Sequence, residues 1–120
     1  MFGFNFLQYP VYLSAKDLCL SLDGLCIKLK SENNFVYSDQ LSRAKLSVVL
    51  NIAEGFSRYT KPDFNRFMSI ATGSLYEVIA CIDIFFEFGH LKSEERDCLL
   101  QRAQEIIKQL SALRKGTKWC

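Results

Sequence analysis

A chain of 120 residues and 13.8 kDa is enough for one domain and too little for two. Its 49% hydrophobic and 23% charged content, with only 6 Gly and 2 Pro, argues against a disordered chain or a many-turned all-β fold. Fifteen Lys+Arg against thirteen Asp+Glu give +2, which excludes a polybasic histone-like binder and leaves room for local basic patches only.

The first fifteen residues, MFGFNFLQYPVYLSA, carry no charge. They lack a basic leader region, are interrupted by Asn5, Gln8 and Pro10, and fall short of the roughly 20 apolar residues a bilayer span needs. Residues 1–10 read as an apolar arm that packs on something, and no membrane span is expected. The first helix is expected from Tyr12 to about Leu29. Tyr12, Ala15, Cys19, Leu22, Cys26 and Leu29 step by three and four, and Val11, Leu18 and Leu25 widen that stripe. Pro10 suits its first turn, and Gly24 weakens it by about 1 kcal/mol relative to Ala. The stretch SENNFVY (31–37) breaks the pattern.

Ser38 is the expected N-cap of a second helix, with Asp39 near its positive end. One stripe runs Leu41, Ala44, Val48, Ile52, Gly55, and another Leu46, Val49, Ala53, Phe56. A polar line of Arg43, Ser47, Asn51, Glu54 and Arg58 separates them. A helix apolar on two sides is covered on two sides, and in a chain this small the second cover points to another subunit. Thr60-Lys61-Pro62-Asp63 reads as a capping box opening a third helix that stops before Gly89. Its core stripe is Phe64, Phe67 or Met68, Ala71, Leu75, Val78, Ile82 and Phe85. Gly55, Gly73 and Ser74 predict close helix packing, because a mid-helix Gly is costly unless a neighbour approaches. The fourth helix starts at Ser93-Glu94-Glu95 and shows Leu99, Ala103, Ile106, Leu110 and Leu113 on its apolar face. Arg114, Lys115 and Lys118 gather at its end, where cations suit the dipole, and 114–120 reads as a basic tail. Four helices with short links predict an all-α, antiparallel up-down four-helix bundle over 1–120.

Five cysteines without a C-x-x-C pair suit reduced thiols in a cytoplasmic protein better than a secreted disulfide framework. One His and no paired ligand spacing argue against a metal site. No nucleophile with a base is visible, so no catalytic residue and no cofactor are expected.

QLSRAKLSVVLNIAEGFSR (40–58) followed by DFNRFMSIATGSLYEV (63–78) resembles the bacterial four helix bundle protein family. That family includes the proteins encoded in intervening sequences of large-subunit rRNA genes and, more distantly, the accessory variability determinant of diversity-generating retroelements. The matching residues are Gln40, Arg43, Ala44, Ser47, Asn51, Ile52, Ala53, Glu54, Gly55 and Arg58, then Phe64, Arg66, Phe67, Ala71, Gly73, Ser74 and Glu77. Val11-Tyr12 with Ala15 and Leu18 resembles the first helix, and the fourth matches in pattern only. Val49 stands where the family often has Pro. The resemblance implies an antiparallel bundle assembling as a ring-like homopentamer, with a nucleic-acid-related role and no known catalysis.

Arg43, Asn51, Glu54, Arg66 and Glu77 are read as a structural polar network, with Glu54 pairing to Arg58 at i+4 or to Arg66 across helices. Residues 41–66 hold Arg43, Lys45, Arg58, Lys61 and Arg66 against Glu54 and Asp63, net +3, and residues 108–120 are net +4. Repeated around a ring, such patches attract phosphate backbones, RNA or DNA, with strong salt dependence. Arg58, Tyr59 and Lys61, and the tail with Lys118 beside Trp119, set an aromatic among cations. The candidate nucleic-acid contacts are therefore Arg43, Lys45, Arg58, Tyr59, Lys61, Arg66, Arg114, Lys115 and Lys118. The alternative is a protein-interaction scaffold, for example an accessory subunit of a reverse transcriptase, suggested by Phe2, Phe4, Phe6 and Leu7 and by Phe85, Phe86 and Phe88.

Overall fold

The computed structural model describes residues 4–116. Among these, four α-helices follow a short 3-10 turn at Asn5–Gln8: α1 Pro10–Ser31, α2 Phe35–Gly55, α3 Lys61–Glu87 and α4 Ser93–Lys115. The described residues contain no strand. Phe2, Lys118, Trp119 and Cys120 lie outside them.

Local chemistry sets each boundary. Pro10 occupies the first turn of α1, where a missing N–H costs nothing. After Ser31, Asn33 takes a left-handed φ of 64°, a conformation Asn tolerates, and the Asn34 N–H donates to Leu29 O at 2.8 Å. That tight turn lets α2 restart at Phe35, with Asn34 at the cap position, four residues before the expected cap. Ser38 is therefore not the N-cap. It lies buried one turn inside α2, and its Oγ donates to Cys26 O at 2.9 Å. Thr60 does cap α3, its Oγ1 accepting from Asp63 N at 3.3 Å. Gly89 ends the turn after α3 with φ 81°, and His90 N donates back to Phe85 O at 2.9 Å. α4 starts at Ser93 as expected, and Glu95 Oε1 accepts from the N–H of the preceding cap residue, Lys92, at 3.1 Å.

α2 packs between α1 and α3, α3 also packs on α4, and α1 meets α4 more sparsely. The apolar stripes converge on one core. Leu22, Leu29, Leu41, Ile52, Phe64, Met68, Leu75, Val78, Ile82, Phe85, Ile106 and Leu110 are its largest fully buried side chains. Both Phe67 and Met68 are buried. The second stripe of α2 is only partly covered: Val49 is buried, Ala53 and Phe56 half-buried, and Leu46 exposed; Leu50, outside that stripe, is exposed as well. A 27-residue helix is about 40 Å long, and α3 accordingly sets the 44 Å long dimension. α3 is also apolar and long enough to cross a membrane. Here its apolar stripe, Phe64 to Phe85, is instead the centre of the core.

Candidate functional site

Four element ends meet at one end of the molecule, and contacts between them show why. The Phe56 ring, just past α2, lies 5.0 Å from Tyr9, 5.2 Å from Phe64 and 6.4 Å from Phe6, centroid to centroid. This aromatic cluster ties the N-terminal turn and the start of α1 to the α2–α3 corner. Lys61, at the start of α3, donates through Nζ to Leu113 O near the end of α4 and lies over the Phe64 ring. Arg114 Nη1 donates to Ser69 Oγ at 3.1 Å. The two basic segments seen in the sequence, near 58–66 and near 114–115, are thus one surface.

Arg58 and Arg66 flank the same ring. Their Cζ atoms lie 4.6 and 4.5 Å from the Phe67 centroid, so about 9 Å bounds their separation. Glu54 pairs with Arg58 one turn earlier, and Asp63 Oδ1 sits 3.8 Å from Arg66 Nη2. The Glu54 partner is therefore Arg58, not Arg66. Such half-exposed pairs fix orientation more than they stabilise. Tyr59 stands between the two helices at 96% exposure, with no hydrogen bond or ring contact among the described residues. Lys115 is also exposed.

Two of the expected basic contacts lie elsewhere. Lys45 faces α1: its Nζ is 3.5 Å from Asp23 Oδ1 and 3.7 Å from Cys19 Sγ, and its side chain is 11% exposed. It is a packing lysine, not a free cation. Arg43 is exposed on α2, but three turns before the basic end. Lys118 is outside the described residues.

The polar network differs in membership from the expected one. Its centre is Ser47 and Ser74, whose hydroxyls are 2.7 Å apart across α2 and α3. Asn51 Nδ2 donates to Ser47 O at 2.8 Å and to Ser47 Oγ at 3.0 Å, and Ser74 Oγ reaches Ile70 O at 3.2 Å. Arg43, Arg66 and Glu77 are exposed and take no part in it. Gly55 is where helices approach: a Cβ there would clash with Met68 Cε and sit 3.1 Å from Phe67 Cβ. Gly73 is not such a site within this chain. It is exposed, and a Cβ there meets nothing within 4 Å.

Sequence reasoning missed the clasp at the opposite end. His90 Nδ1 is 3.3 Å from Glu32 Oε1, and Lys28 Nζ donates to His90 O at 2.8 Å, joining the α1–α2 and α3–α4 turns. Neither Glu32 nor His90 sits in a periodic stripe, so the sequence offered no signal. Burial pushes the Cys26 and Cys81 thiols up from their ordinary value, which keeps them protonated and inert near neutral pH. No group of three His, Cys, Asp or Glu poised for a metal occurs among the described residues.

Residues 8–112 match the model of the 23S rRNA-intervening sequence protein family. A crystal structure of a Bacteroides thetaiotaomicron protein of unknown function, from the S23 ribosomal protein family, superposes with a TM-score of 0.83. The match covers 88% of this chain and 99% of that one at 22% identity, which establishes a shared fold. No curated protein matches this chain.

Proposed function

We propose a function from one premise: the chain belongs to the 23S rRNA-intervening sequence protein family. It acts as a non-enzymatic, homo-oligomeric, cytoplasmic nucleic-acid-binding bundle, with RNA as the ligand that the family's name favours. The observation that carries this reading is the convergence of Arg58, Lys61, Arg66, Arg114 and Lys115 on one end, against the carboxylates Glu54 and Asp63. Neutralising phosphates with such a cluster releases counterions, so affinity falls steeply with salt. Short links and the end-to-end contacts of α1 with α2 and of α3 with α4 support an antiparallel up-down course.

Self-association is part of the reading. Large apolar side chains are exposed on α1 (Leu13, Leu20, Ile27), α2 (Leu46, Leu50) and α3 (Ile70, Tyr76, Ile84), while α4 exposes none. A ring uses two different faces of each protomer, and these helices supply them. Five copies is the number that the family resemblance implies. Native mass spectrometry at low salt tests this, with a species at five times the 13.8 kDa chain mass expected. The charge-reversed variants Arg66→Glu and Lys115→Glu, both at exposed positions, are expected to weaken RNA binding at least several-fold and to flatten its salt dependence. RNA binding equal to the parent's in both variants would refute the basic end as the contact surface. A second reading, a scaffold for a protein partner, draws on Phe35, Val36 and Phe88, which are exposed at the opposite end.

A further inference from the structure

The basic end contains one aromatic side chain that the fold does not use. Tyr59 is 96% exposed, sits in the α2–α3 corner after Arg58 and two residues before Lys61, and touches no other ring among the described residues. Every other described tyrosine except Tyr76 packs against an aromatic ring or a cation. Beside it, Arg58 and Arg66 are held against Phe67 within about 9 Å of each other. Each guanidinium carries five N–H donors, and one carboxylate partner leaves donors over. Arg66 is engaged only weakly, at 3.8 Å from Asp63, with over half of its side chain in solvent.

From this arrangement, and resting on the nucleic-acid reading above, we infer that the α2–α3 corner is a subsite for an unpaired nucleotide of RNA. The base stacks on Tyr59, and its flanking phosphate is held by Arg58 and Arg66. A duplex keeps its base faces stacked inside, so an isolated exposed ring has nothing to stack on there. An unpaired base offers a free face, and stacking on an aromatic is tolerant of base identity. The two arginines fix the backbone; the ring selects unpaired over paired. Glu54 and Asp63 moderate the local charge, so the arginines alone give a weak phosphate site and the ring must add to it.

Tyr59→Ala removes no internal contact, so fold and assembly should be unchanged by thermal denaturation and native mass. The test compares a fluorescently labelled 12-nucleotide oligouridine with an RNA duplex of equal length, by anisotropy at low salt. Tyr59→Ala is expected to weaken the single strand about tenfold and the duplex less than twofold, while Tyr59→Phe keeps the parent's affinity. If Tyr59→Ala binds the single strand as the parent does, while Arg66→Glu weakens both RNAs, the subsite is wrong and the nucleic-acid reading stands. If the parent binds neither RNA, both fall together.

Discussion

At the scale of single residues, the two mid-sequence glycines separate cleanly. A Cβ on Gly55 would press on Met68 Cε and Phe67 Cβ, and both side chains are buried. Gly55→Ala should therefore cost about 1–3 kcal/mol through overpacking, read by urea denaturation. Gly73→Ala meets open space on an exposed helix face and should instead gain up to about 1 kcal/mol. If the α3 face is covered by another copy, the same substitution should shift the association equilibrium rather than the unfolding midpoint. The sequence pattern treated the two glycines alike because spacing reports a helix face, not how near its neighbour lies. Lys45 shows the same limit: its charge was legible, its pairing with Asp23 and Cys19 was not. The buried Cys26 and half-buried Cys81 thiols give a pH signature. Cys26 and Cys81 have raised pKa values in the fold, so the folded state holds their protons longer than the unfolded one. Stability is thus unaffected below about pH 9 and falls as pH rises above it. Denaturation of the parent and a Cys26→Ala/Cys81→Ala variant at pH 8 and pH 10 should show a smaller alkaline loss in the variant.

Among the elements, the helix count, stripes and stops were legible because amphipathic periodicity and caps are local signals. Thr60 illustrates this, and Thr60→Ala should destabilise by about 1 kcal/mol through an uncapped α3. The start of α2 was not legible. Ser38 has the chemistry of a cap, but the turn at Asn33 and Asn34 closed early, and its hydroxyl was taken up by Cys26 O instead. α4 is the least secured helix. It buries only Ala103, Ile106 and Leu110, against seven or more residues in each of the other three. Amide hydrogen exchange should accordingly show α4 opening at lower free energy than α2 or α3.

For the molecule as a whole, the basic residues were visible one by one, but their gathering was not. Arg58 and Arg114 are separated by half the chain, and only the meeting of four element ends brings their segments onto one surface. The opposite end exposes Phe35, Val36 and Phe88 and is clasped by Glu32, His90 and Lys28. That arrangement also has a mechanical side. Residue 4, beside the Phe6–Tyr9–Phe56 cluster, and residue 116, just past α4, lie at the same end. Tension applied between them does not slide long helices past each other along the 44 Å axis. It unzips the bundle from that end, one helix at a time, and α4, with its three buried residues, comes away before the α2–α3 pair resists at all.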